Sequence, residues 1–150
     1  NFQTGNKANI REENNIGNNV SIGTLSVVEH HVTIEDGVRI HTQVFVPEFT
    51  ILKENCWIGP NVVFTNVPHP LCPNAKNCLH GATVMPNVKV GANSTILPGI
   101  ILEENCIIGA GSLVNQNIPK NKVAVGNPAK IVKESSELKC HHGNREGPYI

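Results

Sequence analysis

An apolar residue returns at every sixth position: Ile10, Ile16, Ile22, Val28, Ile34, Ile40, Val46, Leu52, Ile58 and Phe64, and after an interruption Val84, Val90, Ile96, Leu102, Ile108 and Val114. Six is a multiple of the two-residue strand repeat and does not fit the 3.6-residue helical one, so the pattern predicts short strands turning corners at a fixed interval. Counting the apolar residue as the first position, the fourth is commonly Asn or Gly: Asn19, Gly37, Asn55, Asn61, Asn87, Asn93, Gly99, Asn105, Gly111 and Asn117. These residues enter the left-handed backbone region at least cost. The fifth position is mostly small or β-branched, as in Val20, Val38, Cys56, Val88, Ser94, Cys106 and Ser112, and such side chains can point inward beside the first-position aliphatics. Three hexads then make one triangular coil, and coils stack at roughly the 4.8 Å spacing of parallel strands.

The repeat breaks once. Phe64 to Val84 is twenty residues, two more than a coil, so the phase is expected to slip and residues about 67–80 to leave the prism as a loop. Pro68, Pro70 and Pro73 suit an exposed, stiffened excursion. Loops on rigid scaffolds commonly carry function, here by reaching towards a neighbouring subunit. The expected organisation is one solenoid domain over 1–133 with this loop, followed by a tail over 134–150 in which Glu134 to Lys139 can form a short helix.

Composition narrows the function. Lys plus Arg equals Asp plus Glu at 12 each, which offers no broad field for nucleic acid or an anionic membrane. No apolar run is long enough for a span and no charged, apolar leader is present, so the chain reads as soluble and cytoplasmic. Of the 5 cysteines, Cys56 and Cys106 fall in the inward column and read as buried free thiols. Cys72, Cys78, His69 and His80 in the loop, with Cys140, His141 and His142 in the tail, match no zinc spacing, and no metal is expected.

The chemistry lies in the third position. Hexads one full coil apart carry Glu12, His30, Glu48 and Asn66 there, and residues one coil apart stand above one another at about 5 Å. The file places an imidazole, a carboxylate and an amide on one edge, where the His can exchange a proton near neutral pH and the carboxylate can orient it.

The hexad pattern over residues 10 to 119 resembles the hexapeptide-repeat acyltransferases, an all-β family. The resemblance implies a left-handed parallel β-helix, a hand opposite to the general rule for crossovers. Residues 58 to 67, Ile-Gly-Pro-Asn-Val-Val-Phe-Thr-Asn-Val, resemble a segment of the N-acetyltransferases that act on nucleotide-linked amino sugars, with Glu48 and Asn66 at that family's acidic and amide positions. Val28-Glu29-His30-His31 resembles the catalytic His segment of a second branch, the acetyltransferases of bacillosamine-type and sialic-acid pathways. There an acidic residue stands where this chain has His31, and Glu48 can supply the orientation instead.

The C-terminal half is similar to the family's acetyl-CoA coils. Gly91-Ala92 and Gly109-Ala110 recur one coil apart, where missing side chains leave room for a pantetheine arm along the backbone. Lys120, Lys122 and the Gly126-Asn127-Pro128-Ala129-Lys130 segment, with Lys133, resemble the family's closing segment, whose cations can meet phosphates. Pro128, Lys130 and Lys133 are the expected contacts there.

The implied reaction is acetyl transfer from acetyl-CoA to the amine of a nucleotide-linked sugar. His30 would act as base, Glu48 would orient it or bind the ammonium, Asn66 would hold the sugar, and no acyl-enzyme would form. The alternative is O-acetylation of a free sugar or small alcohol, because Phe64 to Pro73 also resembles the loop of maltose and galactoside acetyltransferases, with His69 as base. In that loop His69 sits one residue late and Cys72 stands where an Asp is usual. A γ-type carbonic anhydrase would need a His pair five apart, and His30, His31, His41, His69, His80, His141 and His142 provide none. The family's enzymes form trimers with active sites between neighbouring prisms, so a homotrimer is expected.

Overall fold

In the computed structural model, which describes residues 1–140 and 147–149, most strands are two residues long and occupy the sixth and first positions of successive hexads. They form the three faces of a prism. The first sheet stacks Gln3–Thr4, Ser21–Ile22, Arg39–Ile40, Trp57–Ile58, Lys89–Val90, Ile107–Ile108 and Lys122–Val125. The second stacks Asn9–Ile10, Val27–Val28, Phe45–Val46, Val63–Phe64, Thr95–Ile96 and Leu113–Val114, and the third runs from Asn15–Ile16 to Ile101–Leu102. All these pairings are parallel; only Lys130–Glu134, which folds back on Lys122–Val125 at the end of the first sheet, is antiparallel.

The period-six pattern explains the core directly. First-position side chains from Ile22 to Val114 fill the prism and are buried. The fifth-position residues join them, including Ser26, Thr50, Ser94 and Ser112, whose hydroxyls are buried but bonded. Ser26 donates to the His41 carbonyl at 2.8 Å, Thr50 to that of Pro47 at 2.8 Å and Ser112 to that of Gly109 at 2.7 Å. Each of these inward hydroxyls thus finds a partner in a corner carbonyl, that of Gly109 also accepting from Ser94 at 3.1 Å.

The fourth position is where each corner turns. Asn19, Asn55, Asn87 and Asn105 have φ between 56° and 59°, and Gly37, Gly99 and Gly111 lie near 70°. The corner demands this conformation whatever the residue: Glu13, Leu25, His31 and Phe49 adopt it too, at φ 59°, 60°, 56° and 65°. Such residues carry a cost of about 1–2 kcal/mol that Gly avoids and Asn largely avoids. Asn117 departs from the expectation. Its φ is not positive, and its side-chain oxygen instead accepts the Ile101 N–H at 2.8 Å.

The expected phase slip does not occur. Ile58 pairs with Val90, Val63 with Thr95 and Leu52 with Val84, each thirty-two residues on, one coil plus a fourteen-residue insert. The insert is residues 67–80, entering between the third position, Asn66, and the fourth, Gly81. Its ends meet where the His80 N–H donates to the Asn66 carbonyl at 2.8 Å, and Ala82 resumes the inward column, fully buried. A loop added inside one corner leaves the strand ladder on both sides in register. Within it, Ala75–Cys78 forms a short 3-10 turn. The expected tail helix is likewise a 3-10 turn, Ser135–Glu137, closed by the Glu134 N–H donating to Glu137 at 2.7 Å.

Cys56 and Cys106 sit in the inward column as expected, and burial pushes both thiols up to about 12. A thiolate there is strongly disfavoured. In the native protein a thiol-specific reagent is expected to modify the exposed Cys72 and Cys78 rapidly and to reach Cys56 and Cys106 only on unfolding. Mass-spectrometric mapping of labelled peptides checks this.

Candidate active site

One corner of the prism, between the second and third sheets, brings together most of the third-position file. His30 Nε2 lies 3.6 Å from Glu48 Oε1. Asn66 Nδ2 donates to Glu48 Oε2 at 2.7 Å and to the Glu48 backbone carbonyl at 3.3 Å. The amide is nearly buried at 6% exposure, while the His30 and Glu48 side chains are about a quarter exposed at 27% and 23%. A carboxylate that accepts on one oxygen from a buried amide is held in place, and its second oxygen faces the imidazole nitrogen at 3.6 Å.

Glu12, the lowest member of the file, does not join it. Arg11 sits beside it and takes its carboxylate at 2.8 Å, while the same guanidinium binds Glu29 one coil up at 2.7 Å. The Glu12 carboxyl is held below the usual range, first by its own backbone N–H and next by Arg11. An adjacent cation outcompetes an imidazole one coil away.

Two residues outside the file complete the cluster. His30 Nδ1 is 2.7 Å from His31 Nδ1, and His31 Nε2 is 2.8 Å from Glu13 Oε2. Glu13 and His31 are fourth-position residues one coil apart, so the same eighteen-residue arithmetic that pairs His30 with Glu48 pairs them. The left-handed backbone at His31 turns its ring back across that of His30, edge to face at 4.8 Å and 81°.

The loop histidine is elsewhere. His69 is exposed, its carbonyl accepts the Cys72 N–H at 3.2 Å, and no hydrogen bond joins its imidazole to the file among the described residues. His80 packs instead on Gly99, where a Cβ would stand 2.8 Å from its Nδ1. No group of three or more His, Cys, Asp or Glu side chains able to hold a metal forms among the described residues. His141 and His142 lie outside those residues.

Gly91, Ala92, Gly109 and Ala110 occupy a different corner, between the first and second sheets. The glycines serve coil stacking: a Cβ on Gly91 would lie 2.5 Å from the Ala110 nitrogen, and one on Gly109 2.5 Å from Val125 Cγ1. Their N–H groups are already bonded, to the carbonyls of Ile108 and Ala124 at 2.8 and 2.9 Å. At that corner the two glycine positions carry no side chain and their N–H groups leave no free donor. Pro128 is exposed in the closing segment, and Ala129 ties that segment to Leu113 by a 2.8 Å bond. Lys130 and Lys133 are exposed on the last strand, and Lys122 is paired with Glu134. Within one chain the second sheet separates this corner from the His30 corner.

A groove of about 700 Å³ belongs to neither corner. It runs past Asn87, Asn105 and Lys89 under the tail, where the Lys89 ammonium stands 4.4 Å from the Tyr149 ring and partial burial lowers its affinity for a proton.

Residues 15–48 and 81–116 match the family model described as bacterial transferase hexapeptide, six repeats. The galactoside O-acetyltransferase of Escherichia coli K12 is 30% identical over 131 residues, 84% of this chain and 59% of that protein. The galactoside O-acetyltransferase of Lactococcus lactis is 33% identical over 138 residues, 86% of this chain and 61% of that protein. The chain thus spans about three fifths of the length of these curated relatives. Among solved structures, a mutant of perosamine N-acetyltransferase from Caulobacter crescentus, in complex with CoA and GDP-perosamine, is similar in fold. Its TM-score is 0.74 at 23% identity, covering 85% of this chain and 54% of that one.

Proposed function

The chain carries the hexapeptide repeat of the bacterial transferases over residues 15–48 and 81–116, and we propose that it is a member of that family that transfers an acetyl group from acetyl-CoA to the amine of a nucleotide-linked amino sugar. The observation that carries this reading is the approach of His30 Nε2 to Glu48 Oε1 at 3.6 Å. An ammonium arriving at that pair meets a carboxylate that binds it and an imidazole that can take its proton. A neutral hydroxyl gains far less from the carboxylate, which favours the amine as nucleophile.

In the reaction, the bound ammonium first loses one proton to solvent by way of His30, and His30 Nε2 then removes a second as the neutral amine nitrogen attacks the thioester carbonyl. A coil N–H steadies the tetrahedral oxyanion, the carbon–sulfur bond breaks, and the imidazolium returns a proton to the departing thiolate. Asn66 acts by positioning Glu48. Cys56 and Cys106 do not compete as nucleophiles, since both are buried with their thiols held protonated.

In this reading acetyl-CoA lies along the corner of Gly91, Ala92, Gly109 and Ala110, with Lys130, Lys133 and Pro128 at its end for the phosphates. For that corner to serve His30, a second copy must bring its own to the first, which agrees with the homotrimer, with sites between prisms, that the family resemblance implies. The face between the two corners supports this, because it presents Phe45 and Val63, 36% and 37% exposed, in one register file with Val27.

The galactoside relatives favour a second reading, O-acetylation of a free sugar with His69 as base. Acceptor choice separates the two. Free-thiol release from acetyl-CoA is expected with nucleotide-linked amino sugars, and His69→Ala should hold that rate within about threefold, the range of a surface change. Turnover of a free galactoside that disappears in His69→Ala would overturn the proposal.

A further inference from the structure

We infer that His31 and Glu13 are positioning residues that set the tautomer of His30. This rests on the reading of His30 as the base. The argument is one of donors and acceptors. Glu13 Oε2, 2.8 Å from His31 Nε2, belongs to a carboxylate, which can only accept, so His31 Nε2 carries the hydrogen. A neutral His31 then has a bare Nδ1, and at 2.7 Å from His30 Nδ1 it can only accept in turn. His30 must therefore carry its hydrogen on Nδ1, and its Nε2 lone pair is left facing Glu48 and the acceptor space.

Without His31 and Glu13 the carboxylate of Glu48 would draw the hydrogen of a neutral His30 to Nε2, the nitrogen that has to be bare. The relay runs Glu13 to His31 to His30 and crosses from one coil to the next, with His31 braced from the other side by Phe49, ring centroids 5.8 Å apart. It does for His30 what a directly bonded carboxylate does in a catalytic triad, through one intervening imidazole.

The backbone supplies a clean test. His31 has φ 56°, a conformation Asn takes more readily than His, so His31→Asn should fold at least as stably as the parent. The same variant should lower kcat by at least about tenfold with little change in the KM for acetyl-CoA, as expected when a base is left in the wrong tautomer. Glu13→Gln is the second variant, because its amide can also donate and so releases the tautomer of His31. The readout besides activity is the nitrogen-15 spectrum of the imidazoles in the full chain, assigned with His30→Asn and His31→Asn. The parent should show His30 with hydrogen on Nδ1 and His31 with hydrogen on Nε2, and Glu13→Gln should mix the two forms.

A parent spectrum with hydrogen on His30 Nε2 overturns the inference whatever the enzyme acetylates. So does the expected spectrum combined with full activity of both His31→Asn and Glu13→Gln, which would make the contact merely structural. Failure of the function itself has a different signature, full activity of His30→Asn.

Discussion

Replacing His30 with Asn is expected to lower kcat by about 10²–10⁴, the usual worth of a positioned general base, or roughly 3–5 kcal/mol of barrier. The effect should fall on kcat. His30 contacts Glu48 and His31 at the rim of the prism and contributes nothing to its interior, and its side chain is 27% exposed. The melting temperature and the KM for acetyl-CoA should therefore stay close to those of the parent. Steady-state thiol release with a saturating amine acceptor gives both constants. A loss confined to KM would mean that the imidazole binds substrate and does not move a proton.

The largest expected effect on stability is at Phe64. It is the bulkiest fully buried side chain, at the first position of the hexad that also holds Asn66 and the loop. Phe64→Ala leaves a cavity in a prism whose walls are tied by a continuous strand ladder and cannot close over it, so it should cost about 3–5 kcal/mol. For a chain of this size that is a fall in melting temperature of about 6–20 °C. Calorimetry measures it. A fall below about 2 °C would show that the interior at this coil collapses or admits water, contrary to the packing described here. Asn66 is two residues away, so some loss of activity should accompany the loss of stability.

The architecture was legible because a period of six has one economical solution: two residues of strand, a four-residue corner, and inward side chains at the first and fifth positions. The same arithmetic placed His30, Glu48 and Asn66 on one edge, since stacking forces residues one coil apart into contact. It failed where side-chain competition decides. Glu12 has the right spacing, but Arg11 is adjacent and a guanidinium holds a carboxylate more tightly than a neighbouring imidazole does. Loop phase was another failure. Residue counting across Phe64 to Val84 cannot show that an insert enters and leaves between two positions of a single corner, and that depends on Asn66 and His80 closing its base. The contact of His31 with His30 depends on a left-handed backbone at a residue that rarely adopts one, which the side chain alone does not announce.

The most direct test is a crystal structure of the protein with CoA and a nucleotide-linked amino sugar. The thiol should lie in a groove between two copies, beside His30 Nε2 and Glu48 of one, with the pantetheine arm along Gly91, Ala92, Gly109 and Ala110 of the other. A thiol bound at a corner remote from His30, or a pantetheine arm contained within a single prism, would contradict it.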